Sequence, residues 1–167
     1  ESQASADSAA MAAAWVLLDE DRLKGDPNMT AETAAARTIA VQMAARNVII
    51  NTAPSLSANS SNDADGDIVV GYLSDPDNNP SEPLSTTDPD QFNTVRVRVR
   101  RDAQHSSPID LFFAGVFGRL TADISAEAYA TFKDGVVGYK VDDNTGNAGL
   151  YLGGAGVALG YHEGPGL

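Results

Sequence analysis

Residues 93–132, NTVRVRVRRDAQHSSPIDLFFAGVFGRLTADISAEAYATF, read as strand, short apolar helix, strand, and the rest of the chain is arranged around that unit. Val95, Val97 and Val99 alternate with Arg96, Arg98 and Arg100, the two-residue period of a strand with one buried and one wet face. Ile124, Ala126, Ala128, Ala130 and Phe132 repeat the signal, with Asp123, Ser125, Glu127, Tyr129 and Thr131 on the opposite face. Antiparallel pairing of the two strands sets the arginine ladder across from Asp123 and Glu127, where each cross-strand pair contributes about 0.2–1 kcal/mol. Between them, Ser107, Pro108 at the first helical position and Asp110 in the first turn predict a helix start, and Gly118 its stop. Leu111, Phe112, Phe113, Val116 and Phe117 leave that helix almost no polar face, so it is expected to be buried against the sheet or another chain.

With 167 residues, 43% of them hydrophobic, the chain is long enough for one ordinary domain with a real core. Its net charge of -12, from 23 acidic and 11 basic residues, argues against nucleic acid as a partner, because phosphate binding needs a surplus of Lys and Arg. Without cysteine there is no disulfide and no thiolate metal site. No run of about 18 apolar residues is present to cross a bilayer as a helix.

Upstream, ESQASADSAAMAAAWVLLDEDRL is alanine-rich, with Met11, Trp15 and Leu18 at helical spacing, and predicts a helix from Glu1 to about Leu23, ended by Gly25, Asp26 and Pro27. Thr30 is placed to cap a second helix with Ala35, Ile39, Met43 and Arg46 along one stripe, running to Asn47 or Ile50. A short connection makes the two helices antiparallel neighbours. Residues 53–67 are rich in Ser, Asn and Asp and read as a loop; Ile68 to Leu73 reads as a short strand; the proline- and acid-rich segment up to Phe92 reads as an exposed excursion. The segment DGVVGYKV is a further strand candidate, and the glycine-rich apolar tail 147–167 either completes the sheet or pairs with another subunit. The organisation expected is a helical segment 1–52, a sheet domain 53–141 and a tail 142–167.

The one metal-like pattern is Asn62-Asp63-Ala64-Asp65-Gly66-Asp67, which sets carboxylates on alternate residues as calcium loops do. Counted from Asp63, the twelfth position that should supply a bidentate acid is Ser74, so Asp63, Asp65 and Asp67 read either as a calcium site or as an acidic turn entering a strand. The arginines at 96, 98, 100 and 101 read as a strand face paired with neighbouring acids rather than an anion site. His105 beside Ser106 and Ser107 lacks any nucleophile motif, and these serines are better explained as helix caps. His162 has no second ligand near it in sequence, and Trp15 with Tyr72, Tyr129, Tyr139, Tyr151 and Tyr161 are read as packing residues. No phosphate loop, triad or paired-carboxylate motif is present, so no enzyme is expected and no resident cofactor beyond the calcium candidate.

The opening ESQASADSAAMAAAW resembles the segment of the type E-L-Q-x-A-A-D-A-A-A-L-A-x-A in TadE/TadG-like pilus-assembly proteins of the tight-adherence (Flp) system, matching at Glu1, Gln3, Ala6, Asp7, Ala9, Ala10 and Ala12. The middle is similar to the same family's pattern in order: Asp67, Ile68 and Gly71, then Asn93, Val95, Arg96, Val97, Val99, Arg100 and Arg101, then Pro108, Leu111, Phe112, Phe113, Ala114, Phe117 and Gly118. The resemblance implies a pseudopilin-like, non-enzymatic structural or assembly subunit of a bacterial cell-surface pilus, TadG-like, located in the envelope or on the extracellular surface. Its implied partners are other pilus or envelope subunits or itself, and the membrane through a helix upstream of Glu1; nucleic acid is not among them. Subunit contacts are expected at Ala6, Ala10, Trp15, Phe112, Phe113 and Phe117. The fold expected is α+β and pilin-like, with two N-terminal helices and the short apolar helix on an antiparallel sheet of three to five strands. The competing reading is a calcium-dependent extracellular binding or adhesion module using Asp63, Asp65 and Asp67.

Overall fold

Alanine shapes the first layer. In the computed structural model, helix α1 spans Ser2–Val16 and helix α2 spans Thr30–Arg46, packed antiparallel so that the start of one meets the end of the other. Ser5 Oγ donates to the Ala44 carbonyl at 3.3 Å, Asn47 Nδ2 donates to Ser8 Oγ at 2.8 Å, and Ile50 N–H donates to Glu1 Oε2 at 2.9 Å. The faces in contact are small-residue rows, with Ala6, Ala9, Ala10 and Ala13 on α1 and Ala36, Ala40 and Ala44 on α2 all fully buried. Side chains this short let two helix axes approach closely, so close-packed contact takes the place of bulky burial. The structure describes residues 1–18, 29–76, 78–79, 82–111, 118, 120–132, 137–142, 148–154 and 157–162, the last three segments as backbone.

The helices fall short of the lengths and faces the sequence suggested. α1 stops at Val16 because Leu17 and Leu18 donate back three residues, to Ala14 O and Trp15 O, tightening the last turn, and the expected extension toward Leu23 falls outside the described residues from 19 on. α2 begins with Thr30 already helical, Met29 preceding it without a side-chain cap. Its buried stripe is Ala36, Arg37, Ala40 and Ala44 rather than Ala35, Ile39, Met43 and Arg46, because the alanine row permits the closer approach.

Strands β1 (Ile68–Gly71), β2 (Thr94–Arg101) and β5 (Ile124–Thr131) form an antiparallel sheet in the order β1-β2-β5, making the molecule α+β as expected. The register places Val97 opposite Ala128 and Arg98 opposite Glu127, so the valine and alanine positions share one face. α1 packs across β2 and β5. Val95, Val97 and Val99 are at most 1% exposed, a burial that contributes about 1.5–3 kcal/mol each. Gly71 is needed where the chain returns: a β-carbon there would lie 2.8 Å from the Ser85 carbonyl oxygen and 2.9 Å from Leu84 Cβ.

The segment between β2 and β5 departs from expectation. Ile109–Asp110 (β3) pairs with Thr121–Ala122 (β4), and Leu111 N–H donates to Leu120 O at 2.8 Å, so no helix starts at Pro108. Ser106 and Ser107 have φ of 59 and 64, left-handed values that a helix-capping residue does not adopt. The apolar run expected as a helix, with Phe112, Phe113 and Phe117, lies outside the described residues. Residues Glu1–Thr131 make one compact unit and Phe132–Leu167 another. In the second, β6 (Val137–Asp142), β7 (Ala148–Gly154) and β8 (Val157–His162) form an antiparallel meander, so strands of the glycine-rich tail pair with the described part of the further strand candidate.

Candidate interaction surfaces

The acidic loop before β1 is held by arginines. Asp67, 3% exposed at its side chain, accepts from Ser57 N–H at 2.8 Å and from both Nε (3.1 Å) and Nη2 of Arg100. Arg96 Nη2 donates to the carbonyls of Ala64 and Gly66, and Arg37 reaches over from α2, donating to Ala58 O at 3.1 Å, Ile68 O at 3.0 Å and Asn62 Oδ1 at 2.7 Å. Guanidinium groups therefore occupy oxygens of the kind a hard cation would otherwise use. Asp63 accepts from Ser61 Oγ at 2.5 Å and is exposed, as is Asp65, whereas Asp67 is buried and paired with Arg100. Among the described residues no three acidic, histidine or cysteine side chains are placed to hold one metal ion.

On the sheet's arginine face, Arg98 Nε lies 2.8 Å and Arg96 Nε 3.9 Å from Glu127 Oε2, while Arg100 pairs with Asp67 and Arg101 is buried, donating to Ile49 O and Ser107 O. Glu127 thus meets the ladder as expected, and the role foreseen for Asp123 is taken by Asp67, because β1 brings it beside β2 from the other side. Partial burial pushes the Glu127 carboxyl upward, yet hydrogen bonds from Arg98 and Tyr129 and the charges of Arg98 and Arg96 outweigh it and hold the group below its ordinary value. For Tyr129, burial and the Glu127 carboxylate raise the phenol above its ordinary value. The same Tyr129 is 47% exposed, not the packing residue expected.

His105 closes a tight turn with Asp102, whose Oδ1 accepts from Gln104 N–H, His105 N–H and His105 Nδ1 at 2.7–2.8 Å. The His105 hydrogen bond holds the Asp102 carboxyl below the usual carboxylate range. Ser106 Oγ accepts from Ser55 N–H at 2.8 Å. Together these tie down a turn. His162 ends β8 opposite Gly149. An open cleft of about 520 Å³ is lined by Thr33, Ala34, Arg37, Ser60, Asn62 and Phe92 among others, and its walls carry hydroxyls, one amide and one guanidinium.

On α1 the small residues and the large ones face opposite ways. Ala6 and Ala10 are fully buried within this chain, so their close approach is spent on its own helix and sheet. Met11 and Trp15 are 67% and 72% exposed and follow one another at i and i+4 on the outward face, and Leu18, just past the helix end, is 39% exposed. Of the residues expected at subunit contacts, Trp15 is displayed, Ala6 and Ala10 are not, and Phe112, Phe113 and Phe117 lie outside the described residues.

Residues that sequence reasoning missed are the plugs along β1: Arg37, Asn59, Asn62 and Asn93. Asn62 offers its amide to both Val70 N–H (3.0 Å) and Val70 O (2.7 Å), and Asn93 does the same for Leu73 at 2.9 and 3.0 Å, each side chain standing in for a strand's peptide group. Arg37 had one visible signal, a lone cation amid small residues in mid-helix. The asparagines had none that tied them to β1, since the backbone groups they hold there, on Ile68, Val70 and Leu73, lie 9, 8 and 20 residues away.

No curated protein and no solved structure matches the chain. A family model described as "Putative Tad-like Flp pilus-assembly" matches residues 12–130.

Proposed function

Because the chain belongs to the Tad-like Flp pilus-assembly family, we propose that it is a non-enzymatic structural or assembly subunit of a bacterial surface pilus, acting by packing against other subunits in the envelope or at the cell surface. The observation that carries this reading beyond the family is the outward face of α1. Trp15 at 72% exposure and Met11 at 67% put large apolar area in water on a helix whose opposite face is already buried. Single exposed apolar residues are ordinary, whereas a row of them including tryptophan marks a contact surface. The composition agrees, since an acidic, cysteine-free chain suits a soluble surface module and not a nucleic-acid partner. Among the described residues no helix is long and apolar enough to cross a membrane.

The test is site-specific photocrosslinking from position 11 or 15 in the bacterium that encodes the chain, with deletion of the gene in parallel. Crosslinks to pilus subunits and loss or malformation of Flp pili on deletion are expected. Normal pili in the deletion strain, with no crosslinked product from either position, would overturn the reading.

A further inference from the structure

The two edges of the three-stranded sheet are treated differently. On β1 the outward-pointing peptide groups are Ile68, Val70 and Tyr72, since Arg98 N–H donates inward to Asp67 O. Ile68 O is taken by Asn59 Nδ2 at 2.8 Å and by Arg37, Val70 is taken on both sides by Asn62, and Tyr72 exchanges backbone hydrogen bonds with Ser85 at 2.8 and 3.0 Å. That edge is sealed by side chains at Ile68 and Val70 and by the Ser85 backbone at Tyr72.

β5 ends the sheet on the other side. The alternation that turns the even positions of β5 toward β2 turns Ser125, Glu127, Tyr129 and Thr131 outward, and Glu127 O confirms the direction by accepting from the exposed Gln3 Nε2 at 3.1 Å. Among the described residues no further strand pairs with this row of peptide groups. Edge strands that stay solitary are normally short, bulged, proline-bearing or guarded by charge, lysine above all, and the one charge on β5, Glu127, is already held by Arg98. β5 is eight residues long, keeps an unbroken register with β2 from Ile124 to Thr131, and contains neither proline nor lysine.

We infer that β5 pairs antiparallel with β5 of a second copy of this chain, joining two three-stranded sheets edge to edge about a two-fold axis at Ala128. This is independent of the pilus reading, since it rests on the edge alone. The choice of occupant comes from register and charge. Centred on Ala128, the whole row is used: Ser125 faces Thr131 of the second copy and Glu127 faces Tyr129, both as hydrogen-bonded backbone pairs. Centring on residue 127 would set Glu127 against its own copy and repel. On the helix-side face the same register brings Ala126 to Ala130 and Ala128 to Ala128, side chains small enough not to hold the strands apart. Glu127 O keeps a second lone pair beside the Gln3 bond.

Sedimentation equilibrium of the whole chain, and of Tyr129→Glu and Ser125→Pro, tests this. Tyr129→Glu sets a carboxylate opposite Glu127 twice across the axis, while Arg96 opposite position 129 accommodates it within the chain. Ser125→Pro removes an outward N–H and leaves the β2 ladder intact. A dimer that each variant weakens by about tenfold or more is expected, with circular dichroism unchanged. Hydrogen exchange of the unaltered protein gives an answer that no misfolded variant can confuse: the amides of Ser125, Glu127, Tyr129 and Thr131 should slow as protein concentration rises. A strictly monomeric protein at about 1 mM, a dimer indifferent to both substitutions, or outward amides whose exchange ignores concentration would each overturn the inference.

Discussion

Replacing Asp67 by alanine should be the most damaging single change in the loop before β1, and its size follows from what the carboxylate holds. One oxygen accepts the Ser57 N–H at 2.8 Å and the other accepts Arg100 Nε and Nη2, with the acid 3% and the arginine 26% exposed. Orphaning the Ser57 N–H costs about 1–3 kcal/mol. Breaking a fully buried ion pair from one side costs about 3–5 kcal/mol, and here Arg100 recovers part of that by meeting water. A loss of about 3 kcal/mol is therefore expected for Asp67→Ala, a large share of a typical domain stability of about 5–15 kcal/mol. Arg100→Met, which keeps the aliphatic stem but strands the acid, should fall in the same range. The assay is urea unfolding followed at 222 nm, where α1 and α2 report on the first unit, run as a double-mutant cycle. The double variant should be less destabilised than the two singles combined by about 2 kcal/mol. A coupling below about 0.5 kcal/mol, or millimolar calcium restoring stability to the unaltered or Arg100→Met protein, would refute the argument that the arginine is the cation this acid was built for.

Gly71→Ala should lower stability by about 1–3 kcal/mol, because the added β-carbon meets backbone at Ser85 that is itself paired to Tyr72; a melt unchanged within about 1 °C would contradict it. Ala10→Leu should overpack the α1 interface with the sheet and α2 by a similar amount, whereas Trp15→Ser should leave the unfolding midpoint nearly unmoved while reducing photocrosslinking from position 11. Glu127 predicts an acid limb. With its folded value held below the ordinary one, its pairing with Arg98 and Arg96 is intact above the unfolded pKa of about 4.3 and fades as pH falls through the lower folded value. The stability gap between the native chain and Glu127→Gln should be under about 1 kcal/mol at pH 7, since water reaches the pair, and should shrink steadily as pH falls below the unfolded value; a gap that widens on acidification would mean the sign is wrong.

Both flanking strands of 93–132 and their mutual pairing were legible because a two-residue period leaves one way to keep valine dry, and Arg98 did meet Glu127 as that period required. The alanine-rich stretches announced helices through propensity, and the order of motifs announced the family. Less was legible of the site. The displayed face was visible as a spacing of Met11, Trp15 and Leu18, but spacing does not say whether a row faces inward or outward, and here the alanines took the interior. Similarly, carboxylates on alternate residues look alike whether a metal or a guanidinium answers them.

What the sequence by itself determined is local: helices where alanine dominates, strands where valine alternates, a loop where Ser, Asn and Asp gather, and an acidic surface. What only the tertiary structure decided is pairing at a distance. Arg100 found Asp67 rather than Asp123 because β1 runs beside β2, Asn62 became a substitute for a missing strand while Asn93 carried the β2 ladder on to Leu73, and among the described residues β5 is an edge of its sheet. Each depends on which elements become neighbours. A side chain's hydrogen-bonding capacity is written in its residue type, whereas its partner is chosen by backbone that lies far away in the chain.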